Sequence, residues 1–223
     1  MIFECEYCET KFLTEVEFGK HHCREKERAE MLCTNEGVEA YTCYKTWFKK
    51  KKQFTPSQQV FIGSRYYNPF IKFAEFSKRV AIPDVDMYIG LMVEKEVLPQ
   101  HWYHNDIYEM FLEYLDYECS PQLHLRITLQ TLERVSKIFE CKMSEVFEEL
   151  EPSDMVKLIQ SRNISPWVVL LSSRFKSVLA NDMIPIEREF VEDAIKLDRW
   201  KLIIKRGGKH IPEIRTYINQ LDL

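Results

Sequence analysis

The chain has 223 residues, 45% hydrophobic and 30% charged, a balance that excludes a disordered tail or a collagen-like rod and leaves room for one or two domains. Its 31 Lys and Arg against 35 Asp and Glu leave a net charge of −4, and no apolar run approaches the roughly 20 residues needed to span a bilayer. The opening MIFECEYCET has neither the basic start nor the apolar stretch of a secretory signal, so a cytoplasmic protein is expected.

The charge is unevenly placed. Residues 1–44 hold 5 basic and 10 acidic groups, residues 45–80 hold 9 and 1, residues 81–160 hold 6 and 16, and residues 161–223 hold 11 and 8. A strongly basic stretch inside an acidic protein attracts a polyanion, unless the acidic stretch that follows neutralises it within the fold. Seven cysteines, an odd number, argue against a disulfide framework. Cys119 and Cys141 stand alone beside apolar and aromatic residues and read as buried free thiols.

The first element is FECEYCETKFLTEVEFGKHHC, residues 3–23. Cys5 and Cys8, two residues apart, point two thiolates at one ion; Phe12 and Phe18 supply a small core; Thr14 and Glu17 form a capping box that starts a short helix ahead of His21. This skeleton resembles the Cys2His2 zinc-finger family, with a Cys2HisCys ligand set. The resemblance implies a ββα-like module holding a structural Zn2+. It departs from the family at the fourth ligand, because positions 25–27 are Glu25, Lys26 and Glu27. Cys23 is the nearest substitute, with His22 and Cys33 in reserve. His21 and Cys23 can share an ion only if the helix tightens or ends there, since residues two apart on a helix face ~200° apart. The family's base-reading positions fall on Thr14, Val16, Glu17 and Lys20. With two lysines against five glutamates in residues 1–23, the finger is expected to be structural or to contact protein.

Residues 34–54 follow as a basic helical connector. Lys45, Lys49, Lys50, Lys51 and Lys52 interleave with Tyr44, Trp47, Phe48 and Phe54, a pattern suited to phosphates and, where rings are exposed, to unpaired bases. Arg65, Lys72, Lys78 and Arg79 extend the basic set. Phe70, Phe73 and Phe76 share a helix face, so they are expected inside with Lys72, Lys78 and Arg79 outside. Lys205, Arg206 and Lys209 form a second cluster, beside Arg199 and Lys201, around a helix stop at Gly207-Gly208.

From residue 55 to 223 the punctuation is helical, with starts expected at Thr55-Pro56, Asn68-Pro69, Ser120-Pro121 and Ser165-Pro166 and near Asp84, Asn105, Ser144, Ser153, Pro185 and Pro212. Ile107 to Leu115 has a 3.6-residue period, as does the series Leu125, Leu129, Leu132, Val135, Ile138, Phe139. The expected fold is an all-α multi-helix bundle with a zinc finger at residues 1–33, divisible again near 143–152. The phrases FIGSRYYNPFIKFAEF, IPDVDMYIGLM and ISPWVVLLSSRF, behind the finger, resemble accessory proteins of large tailed bacteriophages, which implies genome handling or gene expression and carries over no catalytic residue.

No phosphate-binding glycine loop, GxSxG, HExxH or GxGxxG is present. The pair His101 and His104 with Asp106 suggests a nuclease-type metal site; surface or capping groups are the plainer reading. Glu109, Glu113 and Asp116, and the run at Glu148, Glu149 and Glu151, read first as solvated helix faces. The expected function is non-enzymatic: a DNA-binding accessory protein of a replication, recombination or transcription complex. The alternative is an adaptor or inhibitor that grips another protein.

Overall fold

A computed structural model describes residues 2–195, Trp200, Lys205, 211–221 and Leu223. The chain forms two compact units, one of residues 1–79 and 85–107 and the other of residues 80–84 and 108–223. Among the described residues both are helical apart from a two-stranded hairpin at the N-terminus. Arg199, Lys201, Arg206, Lys209 and the Gly207-Gly208 stop lie outside the described residues.

The first unit begins with β1 (Phe3–Glu4) and β2 (Lys11–Phe12), paired antiparallel with Phe3 opposite Phe12. Then come α1 (Glu15–Gly19), α2 (Arg24–Met31), α3 (Asn35–Lys52), α4 (Gln58–Ile62), α5 (Tyr67–Arg79) and α6 (Val85–Glu94). The segment 34–54, read from sequence as a basic helical connector, carries α3, which packs on α5 and α6. Its core is aromatic: Tyr44, Phe61, Phe70, Phe73, Tyr88 and Trp102 are buried with rings in contact. The polar tips are satisfied, Tyr88 Oη donating to the Trp102 carbonyl at 2.7 Å and Trp102 Nε1 to the Val97 carbonyl at 2.9 Å. Phe70, Phe73 and Phe76 all face this core, and Lys72, Lys78 and Arg79 are exposed, as the three-residue spacing predicts.

Thr55-Pro56 does not start a helix. The Tyr41 hydroxyl donates to the Pro56 carbonyl at 2.9 Å and holds this segment as the entry to α4, whose cap is Ser57. At α3, Gly37 is required by close approach: a Cβ there would run into the Met31 carbonyl and the Leu32 backbone.

The second unit contains α7 (Asn105–Glu118), whose first turn precedes it, then α8 (Pro121–Phe139), α9 (Val146–Glu149), α10 (Pro152–Gln160), α11 (Pro166–Leu171), α12 (Ser173–Asn181), α13 (Pro185–Ile195) and, last among the described helices, α14 (Ile211–Gln220). Ser120 and Ser165 cap α8 and α11 with proline in the first turn. Leu132, Phe147, Ile159, Val168, Phe175 and Ile214 anchor one apolar core. The periodic face of α8 stops short of its end: Ile138 is 71% exposed and Phe139 is exposed too, because the last turn runs out to Glu140 in a left-handed conformation (φ 54). Cys119 and Cys141 are half-buried rather than buried.

Asp116 is not part of a solvated acidic face. It is buried and accepts two bonds from Arg162, Nε at 2.7 Å and Nη2 at 2.9 Å, where the left-handed backbone of Arg162 (φ 63) turns the guanidinium inward. Removing either partner would strand a buried charge, at about 3–5 kcal/mol.

Candidate functional site

Cys5 and Cys8 lie on the turn between β1 and β2, which closes through Glu9 in a left-handed conformation (φ 56) and a bond from the Cys5 amide to the Thr10 carbonyl at 3.0 Å. The capping box is formed as the sequence predicts: the Glu17 amide donates to Thr14 Oγ1 and the Thr14 amide to Glu17 Oε2, both at 3.2 Å. Of the base-reading positions of a Cys2His2 finger, Thr14 and Glu17 are therefore engaged in starting α1. Phe18 stacks on Phe3, with centroids 6.1 Å apart, and meets Phe12 at a tilt, with centroids 5.8 Å apart; Phe12 lies 4.8 Å from the His21 ring.

The helix carries no ligand. It ends at Gly19, and His21 follows in non-helical chain, so the angular conflict between His21 and Cys23 does not arise. Cys23 is the N-cap of the next helix, its Sγ accepting from the Lys26 amide at 3.4 Å. The ligand atoms of Cys5, Cys8, His21 and Cys23 all lie within 4.8 Å of one another. His22 is exposed, and Cys33 is exposed with its thiol aimed at the Ala29 carbonyl, so neither joins the cluster.

The geometry suits a tetrahedral ion. Metal–sulfur bonds of about 2.3 Å and metal–nitrogen bonds of about 2.0–2.1 Å give tetrahedron edges of roughly 3.5–3.8 Å. The Cys5–Cys23 sulfur separation is 3.6 Å and Cys8 Sγ lies 3.2 Å from His21 Nε2. The surroundings favour thiolates at two corners: the amides of Cys8 and Tyr7 lower the Cys5 thiol, and the hydroxyl and amide of Thr10 lower Cys8. Burial raises Cys23, opposed by the Lys26 amide. Four protein ligands close the site, the arrangement of a structural ion.

Because Cys23 caps α2, the ion would join the hairpin to a helix already fastened to the first unit. Arg28 of α2 donates to the Ile62 carbonyl at 2.6 Å and lies 4.5 Å above the Tyr67 ring, whose hydroxyl donates back to the Arg28 carbonyl at 3.1 Å.

The basic residues divide. Lys50 is turned onto Asp86 of α6 at 2.8 Å and Lys78 lies 3.7 Å from Glu36 of α3, so both meet carboxylates of the same unit. Among the described residues, Lys45, Lys49, Lys51, Lys52, Arg65, Lys72 and Arg79 make no ion pair. Several sit over rings: Lys45 over Tyr41 at 4.8 Å, Lys51 over Trp47 at 5.6 Å, Arg65 over Tyr66 at 4.8 Å, Lys72 over Tyr103 at 5.5 Å and Arg79 over Phe76 at 5.2 Å. Lys205 is exposed in the second unit.

The rings themselves form a line. Phe54 meets Phe48 at 6.0 Å, Phe48 meets Trp47 at 6.0 Å, and Trp47 meets Tyr66 at 4.8 Å, where Arg65 closes the row by donating to the Tyr66 hydroxyl at 2.6 Å. Trp47 is buried, Phe48 and Tyr66 are half-buried, and Phe54 is 60% exposed. The role of Tyr103 beside Lys72 has no local sequence signal, since 31 positions separate them.

His101 and His104 stack edge to face at 5.6 Å, and among the described residues the only group of three or more metal-type ligands lying together is that of Cys5, Cys8, His21 and Cys23. No described helix is long and apolar enough to cross a membrane. No protein-family model, curated protein or solved structure matches the chain, so the resemblance to bacteriophage accessory proteins finds no counterpart there.

Proposed function

We propose that the protein is a non-enzymatic, zinc-stabilised binder of single-stranded nucleic acid, an accessory component of a replication, recombination or transcription complex. Three sulfurs and one imidazole nitrogen are the donor set of structural Zn2+. A bacteriophage setting follows only from the resemblance of the helical segments and is part of the proposal.

The observation that carries the reading is the ring line from Phe54 to Tyr66, with Lys51 over Trp47, Arg65 at Tyr66, and Lys49 and Lys52 exposed in the last turn of α3 just before Phe54. Cations without carboxylate partners attract phosphate irrespective of sequence. An exposed ring beside them stacks on an unpaired base, which a duplex does not present. The finger, with its glutamates, supports this surface through α2 rather than forming part of it.

Fluorescence anisotropy with a labelled oligonucleotide of about 15 nucleotides tests the reading, since single-strand sites span roughly 4–16 nucleotides. Single strands should bind more tightly than the corresponding duplex, and Phe54→Ala should weaken the single-strand complex by about 1–3 kcal/mol, the contribution of one stacked base. Equal binding of both forms, unchanged by Phe54→Ala, would refute it. Elemental analysis of the purified chain should return about one zinc.

A further inference from the structure

In the second unit a groove runs between α7, α10 and α13. Two cavities of about 560 and about 500 Å3 lie on either side of Phe190 and share Val156 as a common wall. Phe190 is 63% exposed, and Ile186, one turn earlier on α13, is 58% exposed. Residues four apart on a helix lie on one face, so the two side chains form a ridge. Leu112 of α7 lines the first cavity and Pro152 of α10 the second. Single exposed apolar residues are ordinary; an aligned pair flanked by two open hollows, one mainly apolar and the other with a mixed lining of Leu112, Val156 and Ala194 among charged side chains, is a surface built for contact.

Among the described residues, the charge left unpaired around this ridge is acidic. At the floor of the first cavity Asp116 and Arg162 neutralise each other, and the one lysine on the rim, Lys157, is paired with Asp154 at 2.7 Å. Glu109, Glu113 and Asp193 remain beside the first cavity, with Glu151 and Glu187 beside the second. Among the described residues none of these five pairs with a lysine or arginine.

We propose that this groove docks a helical segment of a partner protein bearing apolar anchors on one face and Lys or Arg on both flanks. The hollows beside Phe190 take the anchors, and the carboxylates select the basic flanks, as in other helix-in-groove complexes. A nucleic acid is repelled by the rim and gains nothing from the ridge. A second copy of this chain does not offer a match through α3, its lysine-rich helix, because the apolar face of α3 is buried against α5 and α6. The site is separate from the ring line and stands or falls without it.

The test titrates the full chain against synthetic peptides of about 20 residues, with Leu and Phe at helical anchor spacing (i, i+3, i+4, i+7) and Lys on the flanks. One control peptide carries Glu for every Lys, and another carries Ser for every anchor. The basic amphipathic peptide should bind at least about tenfold more tightly than either control. Phe190→Ser and the pair Glu113→Lys with Asp193→Lys should each weaken it about tenfold, without lowering the melting temperature, because all three side chains are exposed. No binding of that peptide at about 1 mM, equal binding of all three, or full affinity in Phe190→Ser overturns the proposal. So does a single-stranded oligonucleotide that displaces the peptide, or a concentration-dependent dimer that Phe190→Ser dissolves, which would give the groove to a second copy.

Discussion

Lysines in the last turn of a helix have an alternative explanation, since Lys49, Lys50, Lys51 and Lys52 all lie where the macrodipole of α3 favours positive charge. Replacing Lys49 and Lys52 by glutamine separates the two roles. Both side chains are exposed and, among the described residues, without ion pairs. As a helix-terminus effect the double change costs at most about 2 kcal/mol of stability, and less in salt. As phosphate contacts the change acts on affinity instead of stability and has a signature. Each contact to a single strand contributes about −0.7 to the slope of log K against log salt, so Lys49, Lys51, Lys52 and Arg65 together give about −2.8. Between 50 and 200 mM salt, affinity should fall about fiftyfold in the unaltered protein and only about sevenfold in the variant. Anisotropy across a salt series measures both slopes, and a thermal melt of the same samples gives the stability change. A slope near zero in the unaltered protein, or equal slopes in the two proteins, would refute the assignment. Lys50→Gln serves as the internal comparison: it releases Asp86 and should leave the slope nearly unchanged.

Removing the metal with a strong chelator, or Cys23→Ser, should unfold the hairpin and the start of α2, because three phenylalanines are too small a core to hold them. The α3–α6 core should persist, with Trp47 and Trp102 fluorescence nearly constant; loss of that signal would show that the ion supports the whole unit. Gly37→Ala should destabilise by roughly 1–3 kcal/mol. In an ordinary helix the same change gains about 1 kcal/mol, but the added methyl meets the Met31 carbonyl, which is backbone and cannot rotate away. A melting temperature at or above that of the unaltered protein would refute the contact.

His124 supplies a pH test. It is buried in the second unit with Asp116 and Arg162 acting on it, and burial lowers its pKa from 6.5 to about 4. The unfolded chain takes up this proton first, so stability should fall as pH drops through 6.5 and level off near 4. The loss is on the order of 3 kcal/mol. Measured as a difference, His124→Leu should show about one proton less uptake on acid unfolding; no difference would place the ring in contact with solvent.

Local chemistry was legible from the sequence because its partners lie within one turn. Cys5 and Cys8, the Thr14–Glu17 box, the Ser120-Pro121 and Ser165-Pro166 starts and the inward face of α5 each depend on spacings of one to four residues, which backbone geometry makes nearly automatic. Spacing carries less information where a helix ends or a longer contact intervenes. Thr55-Pro56 looks like a helix start until Tyr41 holds it, and the period of α8 runs on past the point where anything covers it.

The sequence by itself determined a helical protein with a metal-binding knuckle and a lysine-rich, ring-bearing segment, since composition, periodicity and short motifs encode those directly. Tertiary structure chose Cys23 over His22 and Cys33, by breaking the chain between α1 and α2 and capping the second helix with the ligand. It also turned Lys50 onto Asp86, sank Asp116 beneath Arg162 and set Phe190 between two hollows under an acidic rim. Those pairings cross 36 and 46 positions of chain, where no periodicity specifies which charges meet; only the packing of helices does.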